Sequence, residues 1–503
     1  MPLRPVPSVT GAELAAAERS LVADTAWASL TGAWSGGVVL AAFAIALGAG
    51  PFTIGLLAAI PVIAQVAQLP TIALIERVRE RKRIGVAVIF GSRLVLLAMA
   101  ALPFLADRRS AIVWLVAAQA VIAVLGSVGA CCLNSWLHQL IPPERFAPFF
   151  ARRLIWGTLL GGAGALAAGQ WVARAPGGDA LQAYAWVFAG SALASFVSSY
   201  YLARTPEPQM LAAGPSEPLL QTLRRPLGDR NFRHLLVFLA AWAVVSNIAA
   251  PFLTVYLMRQ LGYGLATVTA LGVASQLANA FALYLWGRVS SRVSNKSVLA
   301  TALPVYLVCI AALVLASQPA HPQLALALLY LLHVGMGAAL GGLALATGNL
   351  GLKLAPQGQG TSYLAVIGVV TALAGGIAPL VAGGIAELLA DNELSLLVRW
   401  VAPAATHEVV VVALEHWQFL FLLTALAGLY VLHALSRVQE EGETSERVVI
   451  QQFAIEAVNA VGNLPSIGGA IGGLFAFRRL SERRRAVRAR HKARRRTDGD
   501  TAS

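Results

Sequence analysis

Residues 52–105 read FTIGLLAAIPVIAQVAQLPTIALIERVRERKRIGVAVIFGSRLVLLAMAALPFL. Two apolar runs, 52–75 and 84–105, flank a loop, 76–83, in which five of the eight residues are Lys or Arg. Each run is long enough to cross the ~30 Å hydrocarbon layer of a membrane as a helix, which takes about 20 residues. Lipid offers an exposed backbone no partner, so helix is the only state open to such runs. The pattern of this stretch, span–basic loop–span, sets the reading of the rest of the chain.

The composition agrees. Of 503 residues, 57% are hydrophobic and 12% charged, against about 25% charged in soluble domains. Mean hydropathy is +0.69. Such a chain has too little polar surface to cover a globule in water. An ordinary soluble enzyme, a disordered chain and a secreted disulfide scaffold are excluded. Cys131, Cys132 and Cys309 lie in apolar runs with no Cys-x-x-Cys pair. They read as packing residues rather than zinc ligands or a redox pair. The first 20 residues lack the short apolar core of a cleavable signal peptide.

Working outward gives twelve spans: 21–48, 52–75, 84–105, 111–140, 154–173, 182–203, 234–258, 264–288, 297–317, 322–352, 362–390 and 415–435. Alternating two-residue patterns are absent, which argues against a β-barrel. Loops after even spans carry twelve basic residues, among them Arg77, Arg79, Arg81, Lys82, Arg83, Arg145, Arg152 and Arg153. Loops after odd spans carry five: Arg108, Arg109, Arg174, Arg259 and Arg399. The positive-inside rule puts both termini in the cytoplasm of a cytoplasmic-membrane protein. The expected organisation is a cytoplasmic N-terminus (1–20), a six-span half (21–203), a Pro- and Arg-containing cytoplasmic linker (204–233), a second half (234–435) and a cytoplasmic tail (436–503).

A weak repeat relates the halves. The loop after span 2 holds Glu76-Arg77 and a basic run; the loop after span 8 holds Gly287, Arg288, Arg292 and Lys296. Span 5 carries Gly157, Gly161, Gly162, Gly164 and Gly169, and span 11 carries Gly375, Gly376, Pro379, Gly383 and Gly384. Small residues at these spacings let helices approach closely, and such contacts can slide when two halves rock.

This layout resembles the major facilitator superfamily. The second-half loop keeps Gly287, Arg292 and Lys296 of the family's signature loop, with Ser291 and Ser294 where the family has Asp and Gly. The first half keeps an acid–Arg pair, Glu76-Arg77. The stretch Pro142-Pro143-Glu144-Arg145 through Arg152-Arg153 is similar to the family's loop between spans 4 and 5. The resemblance covers roughly residues 20–436. It implies an all-α polytopic membrane protein of 12 transmembrane helices in two pseudo-symmetric six-helix bundles. Spans 1, 4, 7 and 10 would line a central cavity, opened to one side at a time.

Polar groups at membrane depth are expensive and are therefore candidates for function. Asp24 near the start of span 1 and Arg93 in span 3 are candidates for coupling or gating, beside the loop charges Glu76, Arg77, Arg288 and Arg292. Each has a plain alternative, a structural pair or an interfacial charge. His333 in span 10 titrates in the physiological range and is a candidate proton carrier; a single hydrogen bond to a neighbouring carbonyl is the alternative. Asn134, Asn247 and Asn349 lie on the implied cavity spans and suit a polar solute or helix–helix bonding. Asn247 stands out, because Pro251 frees its backbone carbonyl. Trp34 and Trp242 lie away from span ends and suit a cavity wall. Trp136, Tyr256, Trp286 and Trp417 lie near ends and read as an interfacial belt.

No Gly-Lys-Ser/Thr phosphate loop, His-Glu-x-x-His or Gly-x-Ser-x-Gly motif occurs, so ATP-driven transport and a membrane hydrolase are disfavoured. No cofactor or metal is expected, and no acid lies at mid-depth in any span. Residues 447–477 suit an interfacial helix. Of the net charge of +14, residues 478–503 carry +8. That tail reads as an anchor on anionic lipid rather than a nucleic-acid site, which would need an aromatic platform. Two functions remain. One is a secondary transporter of a small, neutral or weakly charged solute, with or without a coupling proton or ion. The other is a non-transporting membrane scaffold or assembly factor acting through the basic tail.

Overall fold

The computed structural model describes residues 4–7, 9–105, 107–175, 180–210, 224–290, 293–317, 321–355, 360–402, 405–440 and 446–462. Arg292, residues 211–223 of the linker and the tail beyond 462 lie outside them. Eleven described helices are long and apolar enough to cross a membrane. A further helix, Pro143–Ala173, takes the place of span 5. Its apolar run, 154–173, is diluted by the glycines at 157–169.

Several spans are longer or more broken than their apolar runs. Span 1 begins at Gly11, capped by Thr10 in a reciprocal capping box with Glu13. It stops at Ser35 and restarts as Gly37–Ala46. Gly36 is extended and Gly37 has φ +50°, a left-handed conformation that glycine adopts without strain. Span 2 is Pro51–Ile63 and Gln68–Val78, joined by a tighter 3₁₀ turn at Ala64–Ala67. Span 7, Arg230–Val255, ends in a π-turn, Tyr256–Gln260. The remaining spans are Arg81–Leu105, Arg108–Leu140, Ala180–Ala203, Leu265–Ser290, Asn295–Ala312, Pro322–Lys353, Gly360–Leu388 and Gln418–Ser436.

One element departs from the all-helical expectation. Between spans 11 and 12, β1 (Glu393–Ala402) pairs antiparallel with β2 (Ala405–Glu415) as a two-stranded hairpin with a bulge at Leu396/Leu397. The Val409–Val412 run supplies β-branched residues. It lies outside the spans, where water can satisfy strand edges.

The two halves repeat each other in contact. Span 1 packs on spans 5 and 6, and span 7 on spans 11 and 12; span 3 packs on spans 4 and 6, and span 9 on spans 10 and 12. Across the middle, span 2 meets span 11 and span 5 meets span 8. The glycine stripes serve both kinds of contact. In span 5, Gly157, Gly161 and Gly164 face Ser29, Leu30 and Trp34 of span 1, while Gly162 and Gly169 face Val273 and Thr269 of span 8. In span 11, Gly375 faces Asn247 of span 7, while Gly376 and Gly383 face Ile63 and Pro51 of span 2. A Cβ at Gly383 would lie 2.9 Å from the Pro51 carbonyl oxygen, so a side chain there would push the halves apart.

A carboxylate pins each half at the end that carries the basic loops. Glu207, four residues past span 6, accepts from the Arg81 and Lys82 backbone N–H groups (2.9 and 3.1 Å) and from Arg81 Nε (3.0 Å). Arg81 also donates to Ser135 O, Gln139 Oε1 and Pro208 O. Glu440, four residues past span 12, accepts from the Lys296 N–H (2.7 Å), Asn295 Nδ2 (3.0 Å) and Lys353 Nζ (2.9 Å). Each carboxylate thus sits at the N-terminus of the third helix of its half, where the helix dipole favours negative charge. Val6 pairs with Glu207 and Gln209 through backbone bonds and straps the N-terminus to this site. Residues 450–503 form a separate unit; its described part belongs to the helix Glu446–Gly462.

The aromatics near span ends are not a lipid-facing belt. Trp136, Tyr256, Trp286 and Trp417 are 0–5% exposed. Trp136 donates to Pro206 O, Trp286 to Ala338 O and Tyr256 to Leu313 O. Burial between helices satisfies both the ring and its polar atom, which an interfacial position also does; the sequence does not separate the two.

Two measurements test these caps. Glu207→Ala leaves a buried guanidinium unpaired and is expected to cost about 3–5 kcal/mol in denaturant unfolding in detergent. Burial alone would raise the Glu440 carboxyl, but the bonds from Lys296, Lys353 and Asn295 outweigh it and hold it below its ordinary 4.5. A depressed carboxylate contributes stability above pH 4.5 that is lost as pH falls through its lower folded value. Thermal unfolding of wild type is expected to fall below that pH more steeply than that of Glu440→Gln.

Candidate functional site

Spans 2, 7, 10 and 11 enclose a cavity of about 620 Å³. Its polar wall begins at the 3₁₀ turn of span 2. Pro61 and Pro70 flank that turn, and each lacks the N–H that a continuous helix would use. The turn brings Gln65 and Gln68 to the cavity, where the Gln68 amide donates to Gln65 Oε1. From span 7 come Trp242, Ser246 and Asn247. Asn247 Nδ2 donates to Ala243 O (2.8 Å) and Ser246 Oγ (3.3 Å). Its Oδ1 takes no hydrogen bond among the described residues. Thr347 of span 10 and Thr371 of span 11 complete the polar set, each bonded to a carbonyl one turn back. No residue of this wall is charged. The arrangement offers amide and hydroxyl groups on an apolar surface beside one large aromatic ring.

Charge is concentrated elsewhere, inside the first half. Asp24 is 5% exposed and accepts from Ser198 Oγ (2.7 Å). Arg153 and Arg93 act on it electrostatically. Arg93 Nε donates to Ser199 Oγ (3.4 Å), and Arg153 Nε to Thr25 Oγ1 (2.5 Å). The Arg153 guanidinium also lies 5.6 Å from the Phe149 and Phe150 ring centres, within cation–π range. The structure therefore brings Asp24 and Arg93 together and adds Arg153. Hydropathy puts that residue in a loop, but the helix of span 5 starts eleven residues before its apolar run. In the same half, Glu18 accepts from Arg145 (3.3 Å) and Arg152 (2.9 Å).

The other candidates are dispersed. Trp34 donates to Gly164 O (2.7 Å) and packs against Gly190, between spans 5 and 6. His333 is 4% exposed, and its Nδ1 bonds Leu329 O of its own helix (2.8 Å). Asn134 is exposed and Asn349 half-buried; neither lines the cavity. Glu76 and Arg77 are exposed. Arg288 lies over the Tyr284 ring.

At the hairpin end, Arg259 Nη2 donates to Ala49 O (3.0 Å) and so joins the π-turn of span 7 to the loop between spans 1 and 2. His416 (φ +41°) stacks on Trp417 at 4.0 Å. Burial, then the Arg259 charge, push its imidazole below the ordinary 6.5, against the pull of Asp391.

A sequence profile of the Major Facilitator Superfamily matches residues 25–379. No curated relative matches the chain in sequence. Among solved structures, it is similar to a mutant of the nucleoside transporter NupG, at TM-score 0.67 and 13% identity over 84% of this chain and 100% of that one. It is also similar to a bacterial metal transporter (TM-score 0.57, 16% identity, 84% and 98% covered). A third is a bacterial homologue of the human lysosomal transporter Spinster in an inward-facing, unoccupied conformation (TM-score 0.56, 15% identity, 90% and 96% covered). At these identities the likeness is one of fold.

Neutralising the acid of the buried cluster is the direct test of its charge balance. Asp24→Asn keeps the shape but leaves Arg93 and Arg153 without their counter-charge. It is expected to cost about 1–3 kcal/mol in unfolding, and an added Arg93→Leu is expected to restore part of that loss.

Proposed function

The chain belongs to the major facilitator superfamily, and on that premise we propose that it is a secondary transporter of a small, uncharged polar solute. The observation that carries this reading is the uncharged cavity at Gln65, Gln68, Trp242 and Asn247. Amides present both donors and acceptors, so they suit a solute with both kinds of polar edge. Among the substrates named for the structural neighbours, a nucleoside has this character. A metal ion would ask for carboxylate, thiolate or imidazole ligands, and this wall has none.

The two halves meet at the hairpin end, through Gly55 and Pro379, Gly383 and Pro51, and Arg259 and Ala49. The excess of Lys and Arg in the opposite loops supports a cytoplasmic position for that opposite end. The conformation is then inward-facing, in a multi-pass cytoplasmic-membrane protein with both termini inside. Alternating access would reverse the two ends. Coupling or gating falls to Asp24, Arg93 and Arg153 rather than to His333, whose described bond is internal to its helix. The basic tail supplies contact with anionic lipid.

The test is uptake into proteoliposomes across a panel of neutral solutes that includes nucleosides, with thermal stabilisation of purified protein as the binding readout. Asn247→Ala and Gln68→Ala are each expected to weaken the active solute about fivefold to tenfold, the worth of about one hydrogen bond. Absence of uptake for every solute, with the protein folded, overturns the transport reading in favour of the scaffold.

A further inference from the structure

The break in span 1 leaves three donors without partners. Gly36 N–H bonds Gly32 O, and Leu40 N–H bonds Gly36 O. Between them, the N–H groups of Gly37, Val38 and Val39 have no acceptor among the described residues. They open the ten-residue half-helix Gly37–Ala46. The break lies about 15 Å from the far end of that half-helix at 1.5 Å per residue, near the middle of a ~30 Å hydrocarbon layer. Orphan N–H groups are costly there, and a helix N-terminus carries roughly half a positive charge.

A second set of unpartnered groups faces the same space. A cavity of about 360 Å³ is lined by Gly37 and Val38, by Gln119 of span 4, and by Pro251 and Thr254 of span 7. Gln119 and Thr254 are each 8% exposed. Neither side chain has a hydrogen-bond partner among the described residues. A threonine in a helix ordinarily bonds a carbonyl one turn back, as Thr347 and Thr371 do here. Both side chains therefore keep unused hydrogen-bonding capacity at the cavity. This cavity adjoins the larger one: Pro61 and Val62 of span 2 are consecutive, and Asn247 and Pro251 of span 7 are one turn apart.

We infer that the break in span 1 is a binding point for a carbonyl or carboxylate oxygen of the transported solute, held by the Gly37 and Val38 N–H groups together with Gln119 and Thr254. The inference rests on the transport reading: it narrows the uncharged solutes to those that carry a carbonyl oxygen and extends the reading to carboxylates. The donors are two backbone N–H groups, the Gln119 amide and the Thr254 hydroxyl. A carboxylate has about four lone-pair sites for them and an amide carbonyl has two. A cationic group would meet the positive end of the half-helix and is disfavoured.

The experiment titrates the purified full chain with benzoate, benzamide and benzylamine, three probes of matched ring size, up to about 10 mM by calorimetry. Binding of benzoate or benzamide without benzylamine supports the inference. Benzoate alone identifies a carboxylate, and both identify a carbonyl. Gln119→Leu is expected to weaken the bound probe about tenfold, and the isosteric Thr254→Val about threefold. Equal binding of benzylamine, binding unchanged in both variants, or no binding of any probe overturns it. Uptake of a solute that needs Asn247 and ignores Gln119 and Thr254 keeps the transport reading and overturns this one. Probe binding with no uptake of any solute does the reverse.

Discussion

In hydrocarbon, a backbone N–H or C=O that is not bonded inside its own helix has no water to turn to. Most of this structure follows from that constraint. The spans are helices because no other state is open to them, and the hairpin falls between spans 11 and 12, outside the membrane. The same constraint makes the interruptions informative. The chain breaks at Gly36–Gly37, tightens at Ala64–Ala67 and widens at Tyr256–Gln260. Each interruption gives up regular hydrogen bonds at or near membrane depth. Two of the three open onto cavities lined by polar side chains, and the third carries the arginine that joins the halves.

The halves are built alike but held differently within and between. Within each half, a buried carboxylate gathers charged and backbone donors at the N-terminus of the third helix. Replacing such a group leaves a desolvated charge, so these joints are stiff. Between the halves, the described contacts include close apposition of glycine with backbone and with side chains such as Ile63, Val273 and Thr269, plus the bond from Arg259 to Ala49 O. Dispersion at such a seam is short-ranged and directionless. A rocking motion of the halves would cost that hydrogen bond and leave every charged joint named here intact.

The fold is largely legible in the sequence, because apolar length and loop charge are read residue by residue. The span order, the two halves and the paired glycine helices all follow from those two properties. The site is legible only in part. Pro251 marks Asn247. Nothing comparable marks Gln65 and Gln68, since two amides in an apolar run look like packing until the 3₁₀ turn between Pro61 and Pro70 sets them on one wall. Arg153 escapes hydropathy because the helix of span 5 begins in polar sequence and its glycines lower the apolar signal. The carboxylate caps do leave a trace. Arg204-Thr-Pro-Glu207 and Arg437-Val-Gln-Glu440 share an Arg-x-x-Glu spacing just past spans 6 and 12. The hairpin reads as a loop, because its valine run is too short to separate strand from buried helix by periodicity.

The separation of charge from cavity bears on what the protein can carry. The buried glutamates of the two bundles are committed to the scaffold: Glu18 to Arg145 and Arg152, Glu207 to Arg81, Glu440 to Lys353. A charge on the cavity wall would fix one solute sign and would need neutralising whenever the cavity emptied. Amides carry no such cost. They hold a polar solute by direction rather than by net charge, and they can be left by it without stranding an ion at membrane depth. A wall of this kind therefore suits a solute that must be released as readily as it is bound.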